Sequence, residues 1–425
     1  MSLEDKRFSR NPVYQEAERL LLKLHELIRA GQGDGPEADA VRDSLDAPWE
    51  QLLPEEAARL DGLSGDLYML MGEETFVEVS DEQRQQLPAR LRDAFYARRF
   101  EEMLELLRWN PSFLPREGVA YIRARTWMAL EHFAPAAEFF DYASELNPAN
   151  PSYPALALAA LLRAGRTEEA ERRAARYVKD EAAHPRLLFY ASYALFSAAR
   201  RSDGRQARML YEDVVRAVRT GLKHEAVFQE AGTLPSVVLS GRMNLALALF
   251  HLGRRDEARR ELETTTQRHG KSAEAWTLRG IFELQVNPAA AAGCFERAIQ
   301  QGARHVWAYY GLARIRLQEA AYPSCIELCQ AGIERTNRPE LIATMLEWIA
   351  IAMTLNHASR ESVKQAFQMA LEFDPLNPRL RENVARFERL EETFEISPEL
   401  EPDEILREFV GGAPVISMSG LAMTG

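Results

Sequence analysis

The stretch AAEFFDYASELNP, residues 136–148, sets Ala136, Phe140, Ala143 and Pro148 in a small–aromatic–small–proline order, and that order returns along the chain. It reappears as AAGCFERAIQQGA at 291–303 and as VKQAFQMALEFDP at 363–375. Looser copies are Ala170, Ala174 and Tyr177, then Ala207, Tyr211 and Val214, then Ala258, Leu262 and Thr265. With Met103 before the series and Cys325 inside it, the first slots stand at 103, 136, 170, 207, 258, 291, 325 and 363. The steps between them are 33, 34, 37, 51, 33, 34 and 38. A period near 34 residues is the mark of a helix–turn–helix solenoid.

The spacing has a physical cause. Slots one, five and eight share a helical face. The small residues let helices approach, the aromatic fills the space behind them, and the proline ends the helix. On the partner helix, Trp276 precedes Gly280 and Trp307 precedes Gly311 by the same four residues. A glycine inside a helix costs about 1 kcal/mol against alanine, so two at equivalent places predict close packing.

These residues resemble the tetratricopeptide repeat pattern: an aromatic, then Leu-Gly, Tyr, Ala, Phe, Ala and Pro over one repeat. The resemblance runs from about residue 84 to 375. Arg279 and Tyr310 stand where the family has Leu, and Ala303 where it has Pro. It implies an all-α, right-handed superhelical solenoid of about eight helical hairpins. It also implies a non-catalytic scaffold or adaptor that binds a partner protein or peptide in a concave groove.

Three regions are expected: an N-terminal helical module over 1–80, the repeats with a capping helix over 81–396, and a tail over 397–425. Residues 12–30 read as one amphipathic helix, with Leu20, Leu24, Leu27 and Ile28 on one side. Gly31 to Pro36 ends it; its Gly-x-Gly lacks the preceding strand that a dinucleotide site needs. Arg379 to Glu395 reads as the capping helix. The tail is expected to be loose, acidic over Ser397 to Phe409 and uncharged from Gly411 to Gly425. The long step of 51 leaves a surplus around Gly221 to Pro235, read as a longer helix plus a loop or as a loop arching over the groove.

Composition narrows the function classes. A net charge of −12 opposes general nucleic-acid binding. No apolar stretch is long enough to span a bilayer, the N-terminus lacks a signal core, and three cysteines make no disulfide framework, so a cytoplasmic protein is expected. The chain has only six Lys among its 52 basic residues, and many Ala, a usage that reads as GC-rich bacterial coding bias. Cys325 and Cys329 share a helical face but fill core slots, so packing is favoured over metal or redox chemistry. There is no zinc, nucleophile-elbow or phosphate-loop motif, so neither cofactor nor catalysis is expected.

Charge is uneven. Leu161 to Lys223 carries 14 basic against 8 acidic residues, and Glu388 to Glu408 carries 9 acidic against 2 basic. These segments read either as solvated helix faces or as a basic surface for an acidic peptide, with the tail as an internal competitor. The candidate partner-contacting residues are Arg163, Arg166, Arg200, Arg201, Arg205, Arg242, Asn244, Arg279, His305 and Tyr309. The alternative function is a regulator touching nucleic acid through the Arg-rich middle. The family's carboxylate-grasping set is not matched by Arg242, Asn244, Glu274, Thr277 and His305.

Overall fold

In the computed structural model each of the eight first-slot residues is the fourth residue of a helix, from Met103 in Phe100–Leu107 to Val363 in Arg360–Phe373. The structure describes residues 8–73, 76–180, 183–224, 235–391, 393–398 and 400–409. Those residues form twenty-one α-helices and no strand. Every slot-bearing helix is preceded by a partner, which gives eight hairpins. The slots are filled as the sequence predicts: Ala136, Phe140, Ala143, Ala291, Phe295, Ala298, Cys325 and Cys329 are fully buried.

The glycine reading gains an exact cause. A Cβ on Gly280 would lie 2.5 Å from Phe295 Cε1, and one on Gly311 would lie 2.5 Å from Phe295 Cε2. The Phe295 ring is therefore gripped between two consecutive first helices, Ala273–Glu283 and Val306–Gln318. Trp276 and Trp307, by contrast, are only half-buried, and the fully buried indoles are Trp127 and Trp348.

The chain divides at Val237/Val238 into two units. In the first, the amphipathic helix is Pro12–Arg29, followed by Pro36–Glu50 and Pro54–Leu67. This module is keyed to the first two hairpins by buried charge. Asp66, 1% exposed, meets Arg108 at 3.1 Å and Arg123 at 3.4 Å. His132 meets Glu18 at 2.5 Å and packs against Tyr14 and Trp127. Burying a carboxylate without a partner costs free energy, and the two guanidinium groups beside Asp66 offset that cost. The surplus before the fifth hairpin begins as a lengthened helix, Gly204–Lys223, of 20 residues. The rest of that insertion, with Phe228 and Gly232, lies outside the described residues.

In the second unit the hairpins run from Pro235–His251 to Arg360–Phe373, and the capping helix is Pro378–Glu388. That cap is shorter than the predicted 379–395. Leu390 takes a positive φ of 62°, which ends the helix, and residues 393–398 are neither helix nor strand. The tail is also not loose where it is described. A final helix, Pro402–Glu408, packs on Ala273–Glu283, with Ile405, Leu406 and Phe409 buried. Its apolar side chains decided the matter over its charge. Residues 410–425, including the uncharged end, lie outside the described residues.

Candidate protein-interaction faces

The ten candidate residues do not converge. Five lie in the first unit and five in the second. Arg163 stacks on Phe133 at 4.0 Å, and Arg166 is paired with Glu138 and Glu169 at 2.7 Å each. Arg200, Arg201 and Arg205 are exposed about the turn between Pro185–Ala199 and Gly204–Lys223, with Arg201 bonded back to Ser197 O. Arg242, Asn244 and Tyr309 are buried and belong to the core, which corrects their reading as surface contacts. Arg242 holds Glu261 at 2.5 Å, and Tyr309 lies under Arg335 at 4.4 Å. Arg279 donates to Thr266, and His305 is exposed at the start of Val306–Gln318. Small or apolar neighbours set these fates: each buried residue sits on a first helix enclosed by other hairpins.

Arg163 and Arg166 do share a cleft in the first unit. It has a volume of about 1160 Å³ and lies between Pro12–Arg29 and the slot-bearing helices Phe133–Leu146 and Thr167–Lys179. Its floor is a network of opposite charges. Arg173 meets Asp141 at 2.6 Å and Glu169 at 2.5 Å, and Arg29 meets Glu145 at 2.8 Å across the cleft. Burial pushes the Asp141 carboxyl up, against the pull of Arg173. Much of the expected basic surface is thus neutralised by neighbours of the same unit, which leaves less of it for an acidic ligand.

The second unit holds a different arrangement, and it was not among the candidates. Residues 393–398 run extended beside the cap helix Pro378–Glu388. Asn383 donates from Nδ2 to Glu395 O at 2.7 Å and accepts from Glu395 N at 2.9 Å. Arg379 donates to Ser397 O at 2.8 Å, and Arg386 to Thr393 O at 3.4 Å. Alternate backbone positions 393, 395 and 397 are therefore gripped by three side chains spaced four and three apart on one helical face. The intervening Phe394 and Ile396 turn inward and pack, half-buried, against the core of the last hairpins.

The gripping side chains are themselves held. Glu347, fully buried, bonds Asn383 at 2.7 Å and Arg379 at 2.8 and 3.0 Å. Burial pushes the Glu347 carboxyl up, and Arg379 and Asn383 oppose the shift. Arg379 also reaches Thr344. The acidic segment then meets a further cation, as Arg255 pairs with Asp403. Sequence carried two unused signals: the Arg379, Asn383, Arg386 line, and the strand-like alternation of Thr393-Phe394-Glu395-Ile396.

Elsewhere the chemistry is quiet. Burial pushes the Cys294 thiol up to about 11 and also raises that of Cys329. Among the described residues no three His, Cys, Asp or Glu side chains gather as metal ligands, and no helix is long and apolar enough to cross a membrane.

No family model matches the chain, and no curated protein matches it. Similar solved structures exist. The C-terminal part of a TPR repeat-containing protein from Cytophaga hutchinsonii aligns at 15% identity and a TM-score of 0.42, over 62% of this chain and 98% of that one. The chain is similar to tetratricopeptide-repeat structures. The Cut9–Hcn1 hetero-tetramer of the APC/C aligns at 13% identity and a TM-score of 0.35, over 81% of this chain and 66% of that one. MamA aligns at 18% identity and a TM-score of 0.33, over 43% and 92% respectively. At these TM-scores the architecture rests on the chain's own hairpins and their slots.

Proposed function

We propose that the protein is a non-catalytic interaction scaffold whose second unit takes an extended protein segment along the face near Glu347, Arg379 and Asn383. The observation that carries this reading is the two-way bond of Asn383 to the backbone of Glu395. A side-chain amide that both donates to and accepts from one residue's main chain reads extended backbone and little else. Pockets for alternate side chains then supply selectivity, as in other strand-recognition modes. The nucleic-acid alternative is less well supported, because Arg166 and Arg173 are occupied by carboxylates.

The test is selection from a random-peptide display library on the full chain and on the same chain with Ile396→Asp and Leu406→Asp, which weaken its own segment. Enrichment of peptides with apolar residues at alternate positions, lost on Asn383→Leu, supports the reading. No enrichment on either chain, or enrichment indifferent to Asn383→Leu, refutes it. Tight, salt-sensitive binding of a random RNA or DNA duplex would favour the alternative.

A further inference from the structure

We propose that residues 393–409 are an exchangeable occupant of the second unit's binding face, which a partner protein's segment of the same chemistry displaces. The partner segment is extended, with apolar side chains two residues apart, and leads into a short acidic helix with an adjacent apolar pair. This inference rests on the reading of that face as one that takes extended segments.

Four observations separate this segment from the permanent core. First, its extended part is held through main-chain atoms, which any segment carries. Second, in its extended part Phe394 and Ile396 are only half-buried while Thr393, Glu395 and Ser397 are exposed, so that its fully buried side chains, Ile405, Leu406 and Phe409 among them, all lie beyond that part. The hairpins beneath are closed by their own residues, such as Phe367 and Trp348. Third, the segment departs from the cap beyond a closed helix stop at Leu390, which is 71% exposed and takes the same kind of positive φ that ends first helices at Arg98, Glu131, Ala320 and His357. Because the cap helix is closed by its own bonds at Leu390 and Glu391, the segment's departure does not require that helix to open.

Fourth, the fit is imperfect. Asp403 pairs with Arg255 through one oxygen, while its buried Oδ1 has no protein partner. A partner segment that satisfies that position, or avoids it, fits better than the resident one. Charge enters at one point: Arg255 pairs with Asp403 of the segment, while Arg379 and Arg386 meet its main chain and pair with Glu347 and Glu382.

The tether sets the strength of the competition. A short linker holds the segment at an effective concentration of about millimolar, so a free peptide must overcome it. The segment then acts as a threshold: weak ligands are excluded, and tight or multivalent ones enter.

The experiment has two arms on the full-length chain. In the first, hydrogen exchange is followed on the unmodified protein without ligand. The amides of Glu395 and Ile405 should exchange at least about tenfold faster than those of Pro339–Leu355, by local opening. Exchange of the segment only together with that helix would overturn the proposal while leaving the binding face itself untouched.

In the second arm a fluorescent peptide of residues 391–409 is titrated into the unmodified chain and the Ile396→Asp, Leu406→Asp chain. Binding should be at least about tenfold tighter to the weakened chain, because the internal competitor is removed. Addition of Asn383→Leu should abolish it. Equal affinity for the two chains overturns exchange. No binding to the weakened chain, with its helicity intact, overturns the reading of the face itself. Saturating peptide on the unmodified chain should raise the exchange rate of its own Glu395 amide; an unaltered rate with peptide bound counts against displacement.

Discussion

Replacing Gly280 by alanine should destabilise the second unit, against the usual direction of such a change. A glycine-to-alanine change within a helix ordinarily gains about 1 kcal/mol. Here the added methyl would lie 2.5 Å from Phe295 Cε1, 2.6 Å from Cδ1 and 3.0 Å from Cζ. The ring has no room to withdraw. It is fully buried, and its opposite edge already abuts Gly311. Overpacking costs about 1–3 kcal/mol where neighbours can give, and a ring pinned from both sides belongs at the upper end. The net expectation is a loss of about 2 kcal/mol once the helical gain is subtracted. In a unit of this size that lowers the melting temperature by roughly 4–8 °C.

The assay is urea or thermal unfolding read by tryptophan fluorescence. Trp276 and Trp307 lie on the two helices that grip the ring and report locally. A local reporter matters because a repeat array need not unfold in one step. In a Phe295→Ala background the same Gly280→Ala change should turn stabilising by about 1 kcal/mol. A neutral or stabilising Gly280→Ala in the unmodified chain would refute the packing argument.

Acid should weaken the first unit partly through His25. Its imidazole is buried beside Tyr68 and Ser64, and burial pushes it down to about 4 from 6.5. The unfolded chain binds a proton between those values that the folded chain refuses, so stability falls as pH drops from about 6.5 to 4. His25→Gln should flatten that slope in denaturant titrations at pH 4.5 and 7; an unchanged slope would remove His25 as the cause. Trp127→Ala and Trp348→Ala should each cost about 3–5 kcal/mol, and Trp276→Ala distinctly less, by the same unfolding assay. The buried, fully shielded Cys325 and Cys329 should react with a thiol reagent only on unfolding, and purified protein should carry no stoichiometric zinc. Rapid native labelling, or one metal per chain lost on Cys325→Ser, would contradict their role as packing residues.

The repeat was legible because each slot answers to one local rule: Ala136, Phe140 and Ala143 must share a face whatever the partner. Even the fate of Gly280 and Gly311 could be read from their equivalent spacing. The interaction residues were not legible in the same way. Arg242 and Asn244 look like surface groups in sequence, and only the stacking of hairpins buries them. The grip on residues 393–397 joins two segments through a third residue, Glu347, that lies 32 to 36 positions away. Charge counting is a poor guide here: Glu388 to Glu408 is acidic in sequence, yet its Phe394, Ile405 and Leu406 pack against the hairpins.

Glu347 carries one more consequence. A free arginine side chain loses about 1.5–2 kcal/mol of rotamer entropy when it is fixed in one position. With Glu347 bonded to both Arg379 and Asn383, that loss falls on folding and not on ligand capture. The face is rigid before anything arrives, so even a segment offering little beyond its main chain meets donors and acceptors already in place. Shortening the carboxylate by Glu347→Asp would leave every contacting group present yet unaimed, and the cost would surface as slower capture and faster release together.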